Sequence, residues 1–484
     1  MSERVELQKT FKQHWVWAIA LGSAIGWGCF IMPAEWIGES GPLGAIIGLA
    51  AGGLLMMVIA VSYGELIKKH PVSGGGFTYA YIGFGRIHAF ICGWFLTLAY
   101  VCIVALNASA IALLGKFIIP KVTNTFFLYK VGNWDVYLGE IIIVSLALIL
   151  FAAFNIKGTS FSGKMQFYFC VVLVLGILFL TASMLLHPDT SISNVKPLFN
   201  PDISILSSVL VMMAIAPWAY VGFDNIPQAA EEFNFPPRKA FGLIISSLAF
   251  AVVLYAFMII ATSVAMPWQQ LVAGKPAWGT ADVVSSTLGI IGSVCLVISL
   301  LMGILTGANG FYVSASRLMF SMGRAKILPD VFAKLHPKYG TPYAGIIVTC
   351  LICLIAPWFG RQVLMWIVDM SSVGVTIAYL YTCSSAYKLF RWRQEDLGAD
   401  KPVAPFKKAL SLIGIVSSIV FLGLLLIPGS PSFMGIPSLI ALVIWIVLGI
   451  IFFMVKRKQY MAMDKEELDF NILGQSISGE KTNW

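Results

Sequence analysis

The chain has 484 residues, of which 58% are hydrophobic and only 11% are charged, and its net charge at pH 7 is +9. A typical soluble domain carries about a quarter charged residues, and a water-soluble fold of this length could not bury so much apolar surface. The composition therefore excludes a soluble protein and predicts a chain that is solvated by a lipid bilayer.

Twelve apolar runs follow one another along the chain, and each is close to the ~20 residues that a helix needs to cross a bilayer. They predict an all-α integral membrane protein with about twelve transmembrane helices. The first run contains Pro33 and Glu35 and is too long for a removable signal peptide, so we expect it to remain as a helix. The predicted runs are 14–37, 42–67, 88–119, 136–154, 165–186, 204–227, 240–265, 284–316, 342–358, 364–387, 409–427 and 434–455.

The positive charge is distributed unevenly between the two sides of these runs. If both termini are cytoplasmic, 26 of the 32 Lys and Arg residues fall in cytoplasmic segments and 6 fall in external loops. This bias fits the positive-inside rule. We therefore expect a multi-pass protein of the plasma (cell inner) membrane with both termini in the cytoplasm, and we expect no binding of nucleic acid.

Cysteine and histidine give no sign of a metal site or a catalytic centre. All 8 cysteines lie in predicted helices, and the 5 histidines lie at helix ends or in loops without metal-ligand spacing. The sequence also contains no HExxH, GxSxG or Walker motif. We therefore expect no metal, no catalytic residue and no enzymatic activity.

Glycine and proline interrupt the first and sixth runs. The first contains GSAIGWG followed by Pro33, and the sixth contains Pro217, Gly222 and Pro227. A loosened backbone within a bilayer is tolerated only where it faces protein or a watery cavity. The pairs Gly28/Gly222 and Pro33/Pro227 are both separated by 194 residues. Interrupted helices at matching positions in two halves indicate a secondary transporter built from inverted repeats, although glycine and proline are also common in ordinary membrane helices.

Five motifs between residue 22 and about residue 345 resemble those of the amino acid–polyamine–organocation (APC) transporters. The first run reads GSAIGWGCFIMP. The second run ends in SYGEL and is followed by HPVSGGGFTYAY. The sixth run continues into YVGFDNIPQAAEEFNFPPRKA. The eighth run ends in SRLMFSMGR, and LP and HPKYGTPYAG come after it.

The resemblance implies one transporter domain with a LeuT-like fold, in which a 5+5 inverted repeat contains breaks in helices 1 and 6. The repeats would cover about 14–186 and 204–387, with peripheral helices at about 409–455 and a cytoplasmic tail at 456–484. The implied function is secondary active transport of amino acids by alternating access, as a permease or exchanger and by symport or antiport. An amine or polyamine transporter of the same fold is the alternative, and a non-transporting nutrient sensor is a more distant one.

The resemblance also indicates where a substrate would bind. Burying the carboxylate or the ammonium of an amino acid without partners is costly, and a broken helix offers free N–H groups and free carbonyls. We expect the N–H groups of Trp27 and Gly28 to bind the carboxylate, and the carbonyls of Ala24, Trp218 and Val221 to bind the ammonium. The predicted substrate-binding residues are Ala24, Ile25, Gly26, Trp27, Gly28, Asn107, Trp218, Ala219, Val221 and Phe311.

Asp224 directly follows the break in the sixth run, and an acidic side chain inside a membrane helix is usually functional. Because it matches an acidic position that relatives use, we predict that Asp224 and Trp218 serve in gating or proton coupling. Many relatives also carry a lysine in the middle of the fifth helix, where it stands in for sodium. Here Lys164 lies too near the cytoplasmic end of that run. The coupling ion (H⁺, Na⁺ or none) and the oligomeric state stay open, and we expect no other cofactor.

Overall fold

The structure is a computed structural model, and it describes residues 4–132, 134–274, 276–360, 362–396, 405–430 and 432–474. The first part of the chain forms α1 (Gln13–Ile25), α2 (Gly28–Ile31), α3 (Pro33–Ser40), α4 (Pro42–Lys69), α5 (Gly76–Phe84), α6 (Arg86–Ile118), α7 (Pro120–Thr123), β1 (Phe127–Val131), β2 (Trp134–Tyr137), α8 (Leu138–Ile156) and α9 (Thr159–Leu186).

The second part of the chain is entirely helical where it has regular structure. It forms α10 (Ile205–Ala214), α11 (Ala216–Ala219), α12 (Asn225–Gln228), α13 (Ala240–Ser263), α14 (Trp268–Ala273), α15 (Gly279–Arg324), α16 (Tyr343–Cys353), α17 (Gln362–Asp396), α18 (Pro405–Leu426), α19 (Ile436–Ala462) and α20 (Lys465–Leu473). Short 3₁₀ helices lie at Ile192–Val195, Ala230–Glu232, Pro237–Lys239, Asp330–Ala333 and Ala356–Phe359.

The prediction of an all-α membrane protein is confirmed, but the count of twelve spans is only partly matched. Every predicted run contains helix, and within the described ranges nine helices are long and apolar enough to cross a membrane. The run at 204–227 is divided into short helices, and the run at 342–358 contains the 11-residue α16. The run at 364–387 lies within α17, whose apolar residues are interrupted by Asp369 and by several serines and threonines.

Several elements lie where the sequence predicted loops or tail, among them α7 and α14. The antiparallel strands β1 and β2 form a hairpin between α7 and α8. Helix α5 occupies the HPVSGGGFTYAY segment. Helix α20 lies in the predicted cytoplasmic tail, of which residues 475–484 are outside the described part of the chain. Elements of nine residues or fewer, such as these, are too short to show a periodicity that could be assigned from sequence.

The buried carboxylate of Glu140 fixes the hairpin to the ends of α6 and α8. The ammonium group of Lys116 lies 3.7 Å from the ring centroid of Trp134 and 2.8 Å from the carboxylate of Glu140. The indole N–H of Trp134 donates to the same carboxylate over 3.1 Å. Glu140 is therefore buried with an ion-pair partner and a hydrogen-bond donor, as a buried carboxylate requires.

Helix α20 joins the two described ends of the chain. The side chains of Leu468 and Ile472 are fully buried, and the Tyr81 hydroxyl donates to the Asp469 carboxylate over 2.6 Å. The Arg4 guanidinium donates to the Asn471 carbonyl over 3.4 Å. Both described ends of the chain therefore lie on one face of the helical bundle.

Glycines allow α4 to pack directly against α10 and α11. A Cβ atom on Gly48 would lie 2.5 Å from the Cβ of Met212, and one on Gly52 would lie 2.5 Å from the Cβ of Ala216. The Tyr220 hydroxyl donates to the Leu49 carbonyl over 2.8 Å and adds a polar contact to the same interface. Such close backbone approach through small residues is how membrane helices associate.

We predict that Gly48→Ala lowers the melting temperature of the purified protein, because the new methyl group overpacks this interface at a cost of about 1–3 kcal/mol. The matched control is Gly242→Ala in α13, where the added Cβ would meet no atom within 4 Å. That variant should be as stable as the wild type or slightly more stable, since alanine favours helix. Equal melting temperatures for the two variants would contradict the close packing of α4.

Candidate functional site

The first predicted break is present at Gly26. Helix α1 ends at Ile25, and Gly26 has φ +49° and ψ −147°, a conformation that favours glycine. Trp27 then caps α2, and α3 begins at Pro33. The end of α1 therefore presents carbonyl groups and the start of α2 presents N–H groups within one buried turn.

The second predicted break lies between α11 and α12. The backbone from Tyr220 to Asp224 is not helical, and Gly222 has φ +133°. The Gly222 N–H donates to the Asp224 carboxylate over 2.9 Å, which fixes the turn. A Cβ atom on Gly222 would lie 2.6 Å from the backbone nitrogen of Ala24, so the two breaks are in direct contact.

A small cavity lies between these two breaks. Nine of the ten predicted substrate-binding residues line it: Ala24, Ile25, Gly26, Trp27, Gly28, Asn107, Trp218, Ala219 and Val221. The sequence analysis did not assign four further lining residues, which are Ser23, Ile103, Leu106 and Tyr255. The lining includes no charged side chain within the described part of the chain.

Two buried polar atoms of the cavity wall have no partner among the described residues. The Asn107 amide donates to the Ile103 carbonyl over 2.8 Å, but its oxygen atom Oδ1 is unpaired. The Ser23 hydroxyl is unpaired as well. Leaving a buried polar atom unsatisfied costs about 1–3 kcal/mol. Both atoms lie in the wall of the cavity against α15, with Asn107 Oδ1 beside Gly307 and Ser23 Oγ beside Gly310.

The other walls are apolar or backbone. The rings of Trp27 and Trp218 meet edge to face with centroids 5.8 Å apart. Ile25, Ile103 and Leu106 complete the apolar surface. A ligand that fits this arrangement has a polar end for the helix termini and an uncharged apolar end for the side chains.

Asp224 and Phe311 lie behind the cavity and do not line it. The Tyr100 hydroxyl donates to the Asp224 carboxylate over 2.7 Å, and the ring of Phe311 lies 5.7 Å from that of Tyr100. The Gln228 amide donates to the Tyr100 hydroxyl over 3.1 Å. Among the charged residues that the structure describes, none forms an ion pair with Asp224. Asp224 is thus a buried carboxylate held by neutral donors.

Two bidentate ion pairs close the bundle on the side that carries both termini. Arg317 donates to the two Glu232 carboxylate oxygens over 2.8 and 3.3 Å, and Arg324 donates to those of Glu231 over 2.9 and 2.8 Å. All four side chains are buried.

The N-terminal segment completes this closure. The Leu7 N–H donates to Glu231 over 3.1 Å, and the Arg4 guanidinium donates to the same carboxylate over 3.4 Å. The Phe11 N–H donates to the Glu232 carbonyl over 2.9 Å. Burial alone would raise the pKa of Glu231, but the charges and hydrogen bonds of Arg324 and Arg4 outweigh burial and lower that pKa below its usual value.

Comparison with known proteins gives one matching family and several full-length relatives. The family model described as amino acid permease matches residues 12–454. The methylthioribose transporter of Bacillus subtilis (strain 168) is 27% identical over 94% of this chain and 95% of its own. The branched-chain amino acid permease BcaP of Lactococcus lactis subsp. cremoris is 25% identical over 84% and 88%. The aromatic amino acid transport protein AroP of Escherichia coli O157:H7 is 24% identical over 87% and 90%.

We predict that Glu231→Gln destabilises the folded protein by about 3–5 kcal/mol at pH 7, because Arg324 would stay buried without its counter-charge. Since folding lowers the pKa of Glu231, its contribution is present above the usual value of 4.5 and is lost as the pH falls through the lowered pKa. The difference in melting temperature between wild type and variant should therefore shrink on acidification.

The matched control is Glu6→Gln. Glu6 pairs with Arg4 over 3.1 Å but is 68% exposed, so its removal should change the melting temperature little. If Glu231→Gln proved no more destabilising than Glu6→Gln at pH 7, the ion pair with Arg324 would not contribute to closing this end of the bundle.

Proposed function

We propose that this chain carries neutral amino acids across the membrane by alternating access. The proposal starts from its family, since the chain belongs to the amino acid permease family of the APC superfamily. Membership of this family makes the protein a multi-pass membrane transporter and not an enzyme. The observation that carries the proposal is the cavity between the two helix breaks, which combines free backbone termini with unpaired polar atoms and lacks charged side chains.

The helix breaks would bind the backbone of the amino acid. The N–H groups at Trp27 and Gly28 and the positive end of the α2–α3 dipole suit a carboxylate. The ammonium would lie near the carbonyls of Ala24 and Val221, which belong to the two breaks. The Trp218 carbonyl, which also lies at the second break, accepts the Val221 N–H over 3.3 Å, and the Ala24 carbonyl accepts the Tyr255 hydroxyl over 2.8 Å. The unpaired Asn107 oxygen adds an acceptor that backbone groups alone would not provide.

The side-chain pocket favours a neutral apolar substrate. Ile25, Ile103, Leu106 and the two tryptophans provide an apolar surface that would exclude a charged side chain, because its burial would have no counter-charge. The printed names of two relatives, a branched-chain amino acid permease and an aromatic amino acid transport protein, agree with this class. Phe311 would support the site from behind by packing on Tyr100.

A neutral sugar derivative is the second candidate. The methylthioribose transporter matches 94% of the chain, and a hydroxyl-bearing molecule could also use the Asn107 oxygen and the Ser23 hydroxyl. An amine or polyamine has less support, because the carboxylate next to the break, Asp224, faces Tyr100 and Gly222 and not the cavity.

We propose twelve spans with inverted repeats at about 14–186 and 204–387, peripheral helices at about 409–455, and both termini in the cytoplasm at the plasma membrane. The contact between Arg4 and Asn471 supports an even number of crossings, because it brings both ends of the chain to one face. The positive charge of the segments on that face supports a cytoplasmic orientation.

We further propose that transport does not depend on sodium. The fifth span carries Gln166, whose amide donates over 3.2 Å both to the Ala18 carbonyl of α1 and to the Thr306 carbonyl of α15. Asn309 donates to the Gln166 oxygen over 2.8 Å and fixes the amide in this orientation. A cation between these helices would have to displace this neutral bridge, so a proton or exchange is the better source of coupling.

Thermal stabilisation of the purified protein tests the substrate class. At about 100 times its dissociation constant, a ligand of the folded state adds about 2.7 kcal/mol to the stability. Leucine, methionine or phenylalanine should raise the melting temperature, and lysine, glutamate and spermidine should not.

The control is Gly28→Leu, whose side chain would enter the cavity, since even its Cβ would lie 3.2 Å from the Trp218 ring. This variant should be expressed normally and lose both the shift and uptake. A shift with methylthioribose and with none of the amino acids would favour the second candidate.

Asp224→Asn should change the pH dependence of uptake, because the amide keeps the shape of the side chain but cannot exchange a proton at this buried site. Initial uptake rates between about pH 5 and pH 8 should become flat while the variant stays folded. The matched control is Asp369→Asn in α17, another membrane-helix carboxylate, which accepts from Ser438 over 2.6 Å away from the breaks. If both variants kept the wild-type pH profile, Asp224 would have no role in proton coupling.

A further inference from the structure

Five buried hydroxyl groups lie between α4, α5 and α17, and none has a hydrogen-bond partner among the described residues. They belong to Tyr63 on α4, Tyr79 on α5, and Tyr379, Thr382 and Ser385 on α17. Each of these residues is at most 1% exposed. Buried polar groups are almost always hydrogen-bonded, and those without a protein partner are usually satisfied by ordered water. These five groups, called the hydroxyl column below, therefore mark a place where water can bind inside the bundle.

One end of the hydroxyl column reaches the face of the bundle that carries both termini. Its three members on α17 are spaced three residues apart, so they follow one another along one face of the helix at a rise of about 4.5 Å each. The last of them, Ser385, lies against Gly83 of α5. One turn further, the Lys388 ammonium donates to the Gly83 carbonyl over 2.8 Å. Helix α5 also contacts α20 through the Tyr81 hydroxyl, which places this end beside the described ends of the chain.

The other end of the hydroxyl column lies at Asp224. The ring of the preceding residue, Phe223, stacks on Tyr379 with centroids 5.4 Å apart and meets Tyr63 edge to face at 5.5 Å. The hydroxyls of Tyr63 and Tyr379 lie within electrostatic range of the Asp224 carboxylate, and the Tyr100 hydroxyl donates to it over 2.7 Å. Asp224 thus faces titratable groups from α4, α6 and α17. Helices α1 and α15 also pack against α12, and among the described residues they contribute no ion-pair partner to this carboxylate.

We propose that the hydroxyl column carries the coupling proton from Asp224 to the face that carries the termini, by a route separate from that of the substrate. None of its five residues lines the cavity. When Asp224 gives up its proton, a neighbouring hydroxyl or ordered water accepts it and passes its own proton to the next. Every hydroxyl is therefore neutral again after the transfer, and one proton enters bulk water near Lys388. The inference rests on the proposed function, because it requires transport that is coupled to a proton at Asp224.

The test is Thr382→Val, which keeps the shape of the side chain and removes one hydroxyl from the middle of the α17 face. Proteoliposomes that contain a pH-sensitive dye would report net uptake of the amino acid that stabilises the wild type most, the proton entry that accompanies it, and exchange of that amino acid across the membrane. We expect net uptake and proton entry to slow about tenfold, because a gap in the hydroxyl column raises the barrier to proton transfer. Exchange should change less than about twofold, since Asp224 can stay protonated throughout it and the barrier is not crossed.

Three further variants complete the test. Thr382→Ser keeps the hydroxyl and should restore net uptake. Tyr379→Phe removes a second hydroxyl of the column and should show the same pattern as Thr382→Val, so the test does not depend on the folding of one variant. The matched control is Thr349→Val in α16, whose buried hydroxyl donates to the Gly345 carbonyl of its own helix over 2.8 Å. This control should change neither net uptake nor exchange.

The outcomes separate this inference from the proposed function. If the wild type takes up protons with the amino acid and both Thr382→Val and Tyr379→Phe keep its net rate, the role of the hydroxyl column is wrong and the proposed function stands. The same holds if Thr349→Val slows net uptake as much as Thr382→Val, or if Thr382→Ser does not restore it. If the wild type takes up the amino acid without protons, the inference fails together with proton coupling at Asp224, whereas the transport of neutral amino acids stands.

Discussion

The contact between the backbones at Gly222 and Ala24 is the constraint on which the site depends. Each break alone would leave peptide groups without partners, which is costly in an apolar environment. Here the missing Cβ of Gly222 lets the turn of one break approach the end of α1 so closely that a methyl group would lie 2.6 Å from the Ala24 nitrogen. The two breaks consequently share one cavity, and the same peptide groups that destabilise each helix become the polar wall of the proposed binding site.

The cavity and the end of the bundle that holds the two ion pairs differ in charge. The cavity is lined by neutral groups, whereas four buried charges lie together at the end of the bundle that carries the termini. A neutral cavity with helix termini suits a zwitterion or an uncharged molecule, because no fixed charge has to be matched. Buried ion pairs suit a closing contact, because water that enters when the pair separates hydrates both charges again and so offsets the lost attraction.

The sequence predicted the backbone of the site better than its side chains. Glycine and proline act through the local conformation of the chain, so the breaks near Gly26 and Gly222 could be placed from sequence. Tyr255 could not be found in this way, because one tyrosine in an apolar run is indistinguishable from a core residue until α13 is packed against both breaks. Asp224 and Phe311 were predicted to serve the site directly, but packing turns both side chains toward Tyr100, and neither lines the cavity. Helix α20 is polar and short, and only its contacts with Tyr81 and Arg4 define it.

These contacts make the termini part of the closed end. Arg4 donates to Glu231 and also to the carbonyls of Asn471 and Ile472, so the segment before α1 joins the ion pair with Arg324 to the end of α20. Separating Glu231 from Arg324 without water would leave two buried charges unpaired, at a cost of about 3–5 kcal/mol. In the proposed alternating-access cycle, opening at this end would therefore require water to enter as the pair separates. Leu7 and Arg4 both donate to this carboxylate, and Arg4 also contacts α20, so we expect the N-terminal segment to move when the pair separates.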